Sequence, residues 1–175
     1  MNIERRVSIR TRCILKYFIQ CEAYTLTKDE KTFLEPELIL SIRVELDKLN
    51  QKYTGIADIT TTTNFEVNGF VLLLDELFDD DINWGRILVA LSEYVNLQSQ
   101  LGRDERLSLV LLDRTKIYFE KKINPWLEEN GGWDGFVESF NDTRKTSSSL
   151  TTKVLVFCGI IMTLSALNIV IQTVC

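Results

Sequence analysis

A long uncharged stretch near the C-terminus constrains this chain more than any other feature. Residues 154–174 read VLVFCGIIMTLSALNIVIQTV and contain no Asp, Glu, Lys or Arg. As a helix, a stretch of this length would span roughly 31 Å, which is close to the thickness of a bilayer core. The alternative is a buried core helix, but such helices rarely stay uncharged for so long. We therefore predict a transmembrane anchor at residues 154–174, a polar linker at residues 144–153 and a folded head at residues 1–143.

The distribution of charge argues against nucleic acid as a partner. The formal net charge of −5 lies entirely on residues 1–153, because no charged residue follows Lys153. An acidic head lacks the basic surface that general nucleic-acid binding needs. An acidic cluster lies at residues 75–81 and a basic one at residues 5–16. Both are predicted to be solvated helix surface.

The chain contains no histidine, which excludes most catalytic and metal-binding arrangements. Neither a Ser–His or Cys–His nucleophile pair nor a histidine metal ligand can be assembled. The four cysteines, Cys13, Cys21, Cys158 and Cys175, form no C-x-x-C pair, and no glycine-rich phosphate loop is present. We therefore expect no enzyme activity, no metal site, no cofactor and no small-molecule substrate. A reducing, cytosolic compartment suits the head.

Hydrophobic periodicity predicts that the head is all-α. The predicted helices span residues 4–22, 36–53, 65–78, 82–97, 104–122, 125–129 and 133–140, with polar or irregular stretches at residues 24–31 and 55–64. Residues 82–97 are unusually apolar for a soluble helix and should lie at the centre. In the 104–122 helix, the side chains predicted to point inward are Leu107, Val110, Leu111, Ile117 and Tyr118. The predicted fold class is an all-α bundle around one very apolar helix.

Two motifs resemble homology regions of the Bcl-2 family. Residues 76–86, ELFDDDINWGR, resemble the first region, and residues 125–140, PWLEENGGWDGFVESF, resemble the second. Residues 38–53 resemble the third region and residues 5–20, more weakly, the fourth. This resemblance implies a Bcl-2-like helical bundle with a C-terminal transmembrane helix. It also implies an apoptosis regulator whose groove binds an amphipathic helix of a pro-apoptotic family member. The expected location is the mitochondrial outer membrane, the endoplasmic reticulum membrane or both, with the head in the cytosol.

The resemblance assigns individual residues to that groove. Gly85 has no side chain and would let a ligand helix approach the backbone, while Arg86 would pair with the aspartate that such ligands carry. Asn83 would hydrogen-bond the same polar cluster and cap the central helix. The other partner-helix positions are Tyr53, Phe70, Leu73, Glu76, Leu77 and Val89. Any one of the apolar positions is equally consistent with a core residue, and Trp84 and Trp133 are predicted to serve packing.

Two departures from the family pattern bear on function. Leu46 precedes Asp47 where the family usually has glycine, and its bulk would clash if this helix were offered to another member's groove. Leu46 therefore favours an anti-apoptotic protein that sequesters pro-apoptotic helices over a pore-forming effector of the same fold. Glu93 stands where relatives often carry an aromatic residue, so that end of the groove is predicted to be more polar.

Two further alternatives come from other functional classes. One is a tail-anchored acidic scaffold without a working groove, and the other is a small hydrolase. The intact set from Asn83 to Arg86 argues against the scaffold, because a protein without a groove has no need of Gly85 beside Arg86. The absence of histidine argues against the hydrolase.

Overall fold

The structure is a computed structural model that describes residues 3–19, 26–52, 67–101 and 104–143. Within these ranges every regular element is helical, which confirms the predicted all-α class. The helices are α1 (Ile3–Tyr17), α2 (Lys28–Lys31), α3 (Pro36–Lys52), α4 (Val67–Leu77), α5 (Trp84–Leu101), α6 (Glu105–Tyr118), α7 (Asn124–Glu129) and α8 (Gly132–Thr143). A π-helical segment, Phe119–Ile123, connects α6 to α7.

Helix α5 forms the centre of the bundle, as its apolar sequence predicts. Ile87, Leu88 and Leu91 are buried, and α5 packs against α3, α4 and α6. Helix α1 packs on the far side against α6 and α7. Helix α5 continues to Leu101, one turn beyond the predicted end at residue 97.

A chain of buried hydrogen bonds ties α5 to α1 and α6. The Tyr94 hydroxyl donates to the Leu15 carbonyl at 3.2 Å and accepts from the Gln98 side-chain amide at 3.0 Å. The same Gln98 nitrogen lies 3.1 Å from the Ser108 carbonyl, to which it also donates. Burial raises the pKa of Tyr94 far above its ordinary value, so the hydroxyl stays protonated. Because a buried polar group without a partner is costly, these bonds fix the rotation of α5 about its own axis.

The inward face of α6 differs from the prediction. Leu107, Val110 and Ile117 were expected inside, but 41%, 40% and 46% of their respective surfaces are exposed. That part of the prediction is wrong, whereas Leu111 is buried as expected. The buried stripe is Ser108, Leu111, Leu112 and Thr115, which has the spacing of one helical face. Thr115 is tolerated inside because its hydroxyl donates to the Leu111 carbonyl at 2.7 Å, so hydrophobicity alone does not identify this face.

The basic cluster of α1 is not uniformly solvated, which corrects a second prediction. Only 4% of the Arg10 side chain is exposed, and its guanidinium lies 2.8 Å from Asp134 Oδ1 and 2.6 Å from Glu35 Oε1. Lys16 donates to Glu30 at 2.9 Å, and this hydrogen bond lowers the pKa of Glu30. The basic residues of α1 therefore hold it to α2, to the start of α3 and to α8.

Helix boundaries near the N-terminus also differ from those predicted. Helix α1 ends at Tyr17 rather than at residue 22, and α2 forms inside a stretch predicted to be irregular. The Thr27 side chain accepts from the Glu30 backbone, and the Glu30 side chain accepts from the Thr27 backbone. This capping box is readable in the sequence as T-x-x-E, but a four-residue helix is too short to show periodicity.

Several predicted features lie outside the described residues. They are the transmembrane segment at residues 154–174, the linker at residues 144–153, the loop at residues 55–64 and Tyr53 of the predicted groove. Among the residues that the structure does describe, no helix is both long and apolar enough to cross a membrane.

Candidate functional site

Asn83 caps the start of α5, as the sequence predicts. Its side-chain oxygen accepts from the Arg86 backbone N–H at 3.0 Å, and its carbonyl accepts from the Ile87 N–H at 3.0 Å. The amide nitrogen of Asn83 donates to Asp81 Oδ2 at 3.0 Å. These bonds satisfy N–H groups that a helix start leaves without internal partners. They also fix the backbone from which the Arg86 side chain projects.

The Arg86 guanidinium is held against the acidic turn that precedes α5. One terminal nitrogen donates to the Asp81 carbonyl at 2.7 Å, and the other lies 3.9 Å from Asp80 Oδ2. The Arg86 side chain is 14% exposed, whereas that of Asp80 is 82% exposed. An ion pair this long and this solvated contributes little, whereas the Asp81 carbonyl holds the guanidinium at hydrogen-bond distance. A carboxylate from a partner could replace Asp80 at small cost.

Arg86 shares one face of α5 with Val89 and Glu93. These residues are three, four and seven positions apart, the spacing that aligns side chains along a helix. The neighbouring faces of α5 already contact other helices of the bundle. Ser92 donates to Asn50 of α3 at 3.4 Å, and Tyr94 donates to the Leu15 carbonyl of α1. The remaining face, which we call the α5 groove face (Arg86, Val89 and Glu93), belongs to a helix packed against both α3 and α4.

The predicted pocket walls differ in their exposure. Phe70, Leu77 and Val89 are buried, Leu73 is half-buried and Glu76 is exposed. Phe70 packs against Tyr94 with ring centroids 6.4 Å apart, so α4 delivers its apolar side directly onto α5. Gly85 is buried as well. The structure therefore brings the α4 and α5 positions together, with the buried ones in the core and Leu73 and Glu76 at the rim.

Helix α4 is anchored to α6 on its other side. The Tyr118 hydroxyl donates to the Leu74 carbonyl at 2.9 Å, and its ring lies 6.2 Å from that of Phe78. Burial, together with the nearby Asp75 carboxylate, raises the pKa of Tyr118 well above the usual range for tyrosine. Helix α4 is thus held between α5 and α6.

The second motif packs α8 onto the start of α5. The Trp84 ring lies 4.9 Å from that of Trp126 and 5.8 Å from that of Phe136. Trp133 is buried, and its indole N–H donates to the Thr11 hydroxyl at 3.0 Å. The predicted packing roles of Trp84 and Trp133 are thus confirmed. Trp84, which precedes Gly85 and Arg86, therefore packs against both α7 and α8, and this packing makes the start of α5 rigid.

The glycines of that motif have separate physical reasons. Gly131 and Gly132 adopt positive φ angles of 83° and 63°, a conformation that glycine reaches without strain. At Gly135 the requirement is space, because a Cβ atom there would lie 2.1 Å from the Asn130 carbonyl oxygen. Sequence reasoning named the motif from resemblance but missed this contact. The N-G-G-x-x-G spacing, which places Gly135 four residues after Gly131, was its only signal.

A cleft lies between the end of α1, α3 and α5. This cleft has a volume of about 140 Å³ and is lined by Phe18, Arg43, Leu46, Asp47, Asn50, Ser92 and Val95. Glu45 and Lys48 of α3 do not line it and form an ion pair of 2.5 Å with each other. Its volume is below that of ordinary ligand pockets, so it has room for a side chain rather than for a helix. Within the described ranges, no three Cys, Asp or Glu residues converge to hold a metal ion.

Comparison with known proteins identifies the family. The family model described as apoptosis regulator proteins, Bcl-2 family, matches residues 40–133, more than half of the chain. The chain belongs to the Bcl-2 family. The matched region contains α4, α5, α6 and most of α3, and it therefore includes all three residues of the α5 groove face.

Curated relatives and a solved structure agree with this assignment. The chain is 30% identical to apoptosis regulator Bcl-2 of Gallus gallus over 119 residues, covering 63% of this chain and 50% of that protein. It is 30% identical to Bcl-2-like protein 1 of Homo sapiens over 117 residues, covering 62% and 49% respectively. The chain thus spans about half the length of the curated relatives it matches. Trichoplax adhaerens trBcl-2L2, crystallised with trBak BH3, shares the fold with a TM-score of 0.56 at 20% identity, covering 80% of this chain and 99% of that one.

Proposed function

We propose that this Bcl-2 family member is anti-apoptotic and sequesters pro-apoptotic relatives by binding their amphipathic BH3 helix on the α5 groove face. The observation that carries the proposal is the start of α5, where Asn83 accepts from the Arg86 backbone N–H at 3.0 Å and the Asp81 carbonyl accepts from the Arg86 guanidinium at 2.7 Å. A cation held in this way is ready to accept a carboxylate in a charge-assisted pair. Trichoplax adhaerens trBcl-2L2 was crystallised with trBak BH3, which supports the same class of partner here.

The electrostatics of the site suit an acidic anchor on the ligand. Arg86 is mostly buried, and the exposed Asp80 carboxylate lies 3.9 Å from its guanidinium. Transfer of that weak pair to a ligand aspartate would create a better shielded one. Apolar anchors of the ligand helix would meet Leu73 and, after local opening, the buried Phe70 and Val89.

The anti-apoptotic direction of the proposal rests on α3. Leu46 is 6% exposed and Ile42 is fully buried, so the face of α3 that a ligand helix would present is committed to this chain's own core. Releasing two such side chains costs about 1.5–3 kcal/mol each in lost burial. In addition, Leu46 places a branched side chain where close helix–groove contact needs a small residue. Both effects oppose the use of α3 as an exported ligand, which the pore-forming alternative would require.

A direct binding assay tests the site. Affinity for a fluorescent Bak BH3 peptide should be measured on the full-length chain, the Arg86→Ala variant and the Arg114→Ala variant. Removing Arg86 should weaken binding by roughly 2–5 kcal/mol, at least about 30-fold, because the ligand carboxylate is left desolvated and unpaired. Arg114 is exposed on α6, and its loss should change nothing. Unchanged affinity for Arg86→Ala, with helicity retained, would place the ligand elsewhere.

Expression in cells given a death stimulus tests the direction of the effect. The wild-type chain should raise survival, and Arg86→Ala should lose that protection in proportion to its lost affinity. Death in unstimulated cells that express the wild-type chain would instead favour the pore-forming effector. Peptide binding without any effect on survival would remove the anti-apoptotic assignment and leave only a helix-binding module.

We also propose that residues 154–174 anchor the protein in the mitochondrial outer membrane or the endoplasmic reticulum membrane. The support is the sequence itself, since this segment is uncharged and long enough to cross a bilayer core. Anchoring would hold the groove where membrane-bound pro-apoptotic partners gather.

A further inference from the structure

Glu93 is a half-buried carboxylate with no partner among the described residues. No hydrogen bond or ion pair from those residues reaches it, and burial alone raises its pKa. A carboxylate in this state is destabilised in its charged form, because water is partly removed and nothing replaces it. It contrasts with Glu30 and Glu45, which are paired with lysines at 2.9 and 2.5 Å. Glu93 has no such partner among the described residues.

Its position relates it to the proposed groove. Glu93 follows Arg86 by seven residues, so the two lie on one face of α5 about two turns apart, roughly 10.5 Å along the helix axis. Val89 lies between them and is buried. The α5 groove face therefore carries a cation near one end, an apolar middle and an unmatched carboxylate near the other.

We infer that Glu93 is a specificity residue, and that it selects partner helices carrying a lysine or arginine about two turns from the aspartate that meets Arg86. This inference rests on the proposed function. A basic side chain at that point would give Glu93 the partner it lacks and remove the penalty of burying its charge. The alkyl stem of lysine or arginine would still cover apolar surface beside Val89. A purely apolar anchor would desolvate Glu93 further and leave it unpaired.

The opposite charges at the two ends of the α5 groove face also disfavour ligand helices whose acidic residue is in the wrong position. A helix with its acidic residue shifted to the Glu93 end would place two carboxylates together and leave Arg86 without its ligand partner. Such repulsion discriminates between helices that bury similar apolar area. The arrangement therefore fixes the direction in which a ligand helix lies on α5 as well as the choice of ligand.

A peptide scan crossed with variants of Glu93 tests the inference. The probes are the Bak BH3 peptide and a set in which each apolar anchor in turn is replaced by lysine. Affinities are measured on the full-length chain, on Glu93→Leu, which keeps the volume of the side chain, and on Glu93→Gln, which keeps its shape. Glu105→Gln, an exposed site at the start of α6, is the matched control for loss of one negative charge.

One lysine peptide, substituted about two turns from its aspartate, should bind the wild-type chain at least as tightly as the parent peptide. On Glu93→Leu the same peptide should lose at least tenfold relative to the parent, a coupling of about 1.4 kcal/mol. Glu93→Gln should fall between the two, and Glu105→Gln should match the wild type. Coupling within twofold at every lysine position would overturn the inference.

The outcomes separate this inference from the function on which it rests. The parent peptide could bind, and Arg86→Ala could abolish that binding, while no lysine position couples to Glu93. In that case helix binding at the α5 groove face is supported, and selection of a basic residue by Glu93 is refuted. If neither the parent nor any lysine peptide binds the wild-type chain, both proposals are wrong. Loss of binding by every peptide on Glu93→Leu, with Glu93→Gln unaffected, would mean that Glu93 shapes the helix rather than reads the ligand.

Discussion

Replacing Gly135 with alanine tests whether α8 is seated against the start of α5 as closely as the structure shows. The added Cβ atom would lie 2.1 Å from the Asn130 carbonyl oxygen and 3.2 Å from Trp84 Cζ2. The nearer atom belongs to the backbone, which cannot rotate away as a side chain would. The turn at Asn130 would have to retreat by about 1 Å before the contact became tolerable.

Two opposing effects determine the magnitude. Overpacking of this kind costs about 1–3 kcal/mol, and more where backbone must move. Alanine inside a helix gains about 1 kcal/mol over glycine, which offsets part of that loss. We expect a net destabilisation of about 1–2 kcal/mol, equivalent to a fall in Tm of roughly 3–7 °C for a domain of this size. The environment of the Trp84 indole should change at the same time, because the added Cβ atom would also press against that ring.

Thermal unfolding of the full-length chain in mild detergent, followed by far- and near-ultraviolet circular dichroism, measures both effects. Gly131→Ala is the matched control: its Cβ would make only ordinary contacts of 3.5 Å, but its φ of +83° would be strained. That variant should lose about 1 kcal/mol with the tryptophan signal unchanged. A Tm for Gly135→Ala at or above that of the wild type would show that the gain in helix propensity outweighs the steric cost. It would then contradict the close approach of Gly135 to the Asn130 carbonyl oxygen.

Two other predictions concern α3 and the C-terminal segment. Leu46→Ala should destabilise the chain by about 2–5 kcal/mol, because Leu46 is only 6% exposed. Leu40→Ala on the same helix, at 63% exposed, should change the stability by no more than about 0.5 kcal/mol in the same unfolding assay. Equal effects of the two substitutions would contradict the inward placement of Leu46. The full-length chain should remain with membranes after extraction with alkaline carbonate, while a chain ending at residue 153 should not; release of the full-length chain would refute the anchor.

The candidate site was predictable in its polar part and less so in its apolar part. The Asn83 cap depends on atoms three residues apart, so local sequence is sufficient to find it. The exposure of Phe70, Val89 and Leu73 depends on how α4 meets α5, and the attachment of α4 comes from Tyr118, 44 residues beyond Leu74. Sequence patterns identify such side chains as apolar, but they do not distinguish a groove rim from the core beneath it.

The sequence by itself determined that the described part of the chain is helical, that α5 is the central helix and that Asn83 begins it. Periodicity and capping act over one or a few turns, and both are therefore written into consecutive residues. Only the tertiary structure decided that Arg10 is buried, that Thr115 faces inward while Ile117 does not, and that Gly135 must lack a side chain. Arg10 meets Asp134 across 124 residues of sequence, and the Trp84 ring of another helix adds to the constraint that the Asn130 carbonyl places on Gly135. The conformation of such positions depends on atoms that only the packed bundle brings together.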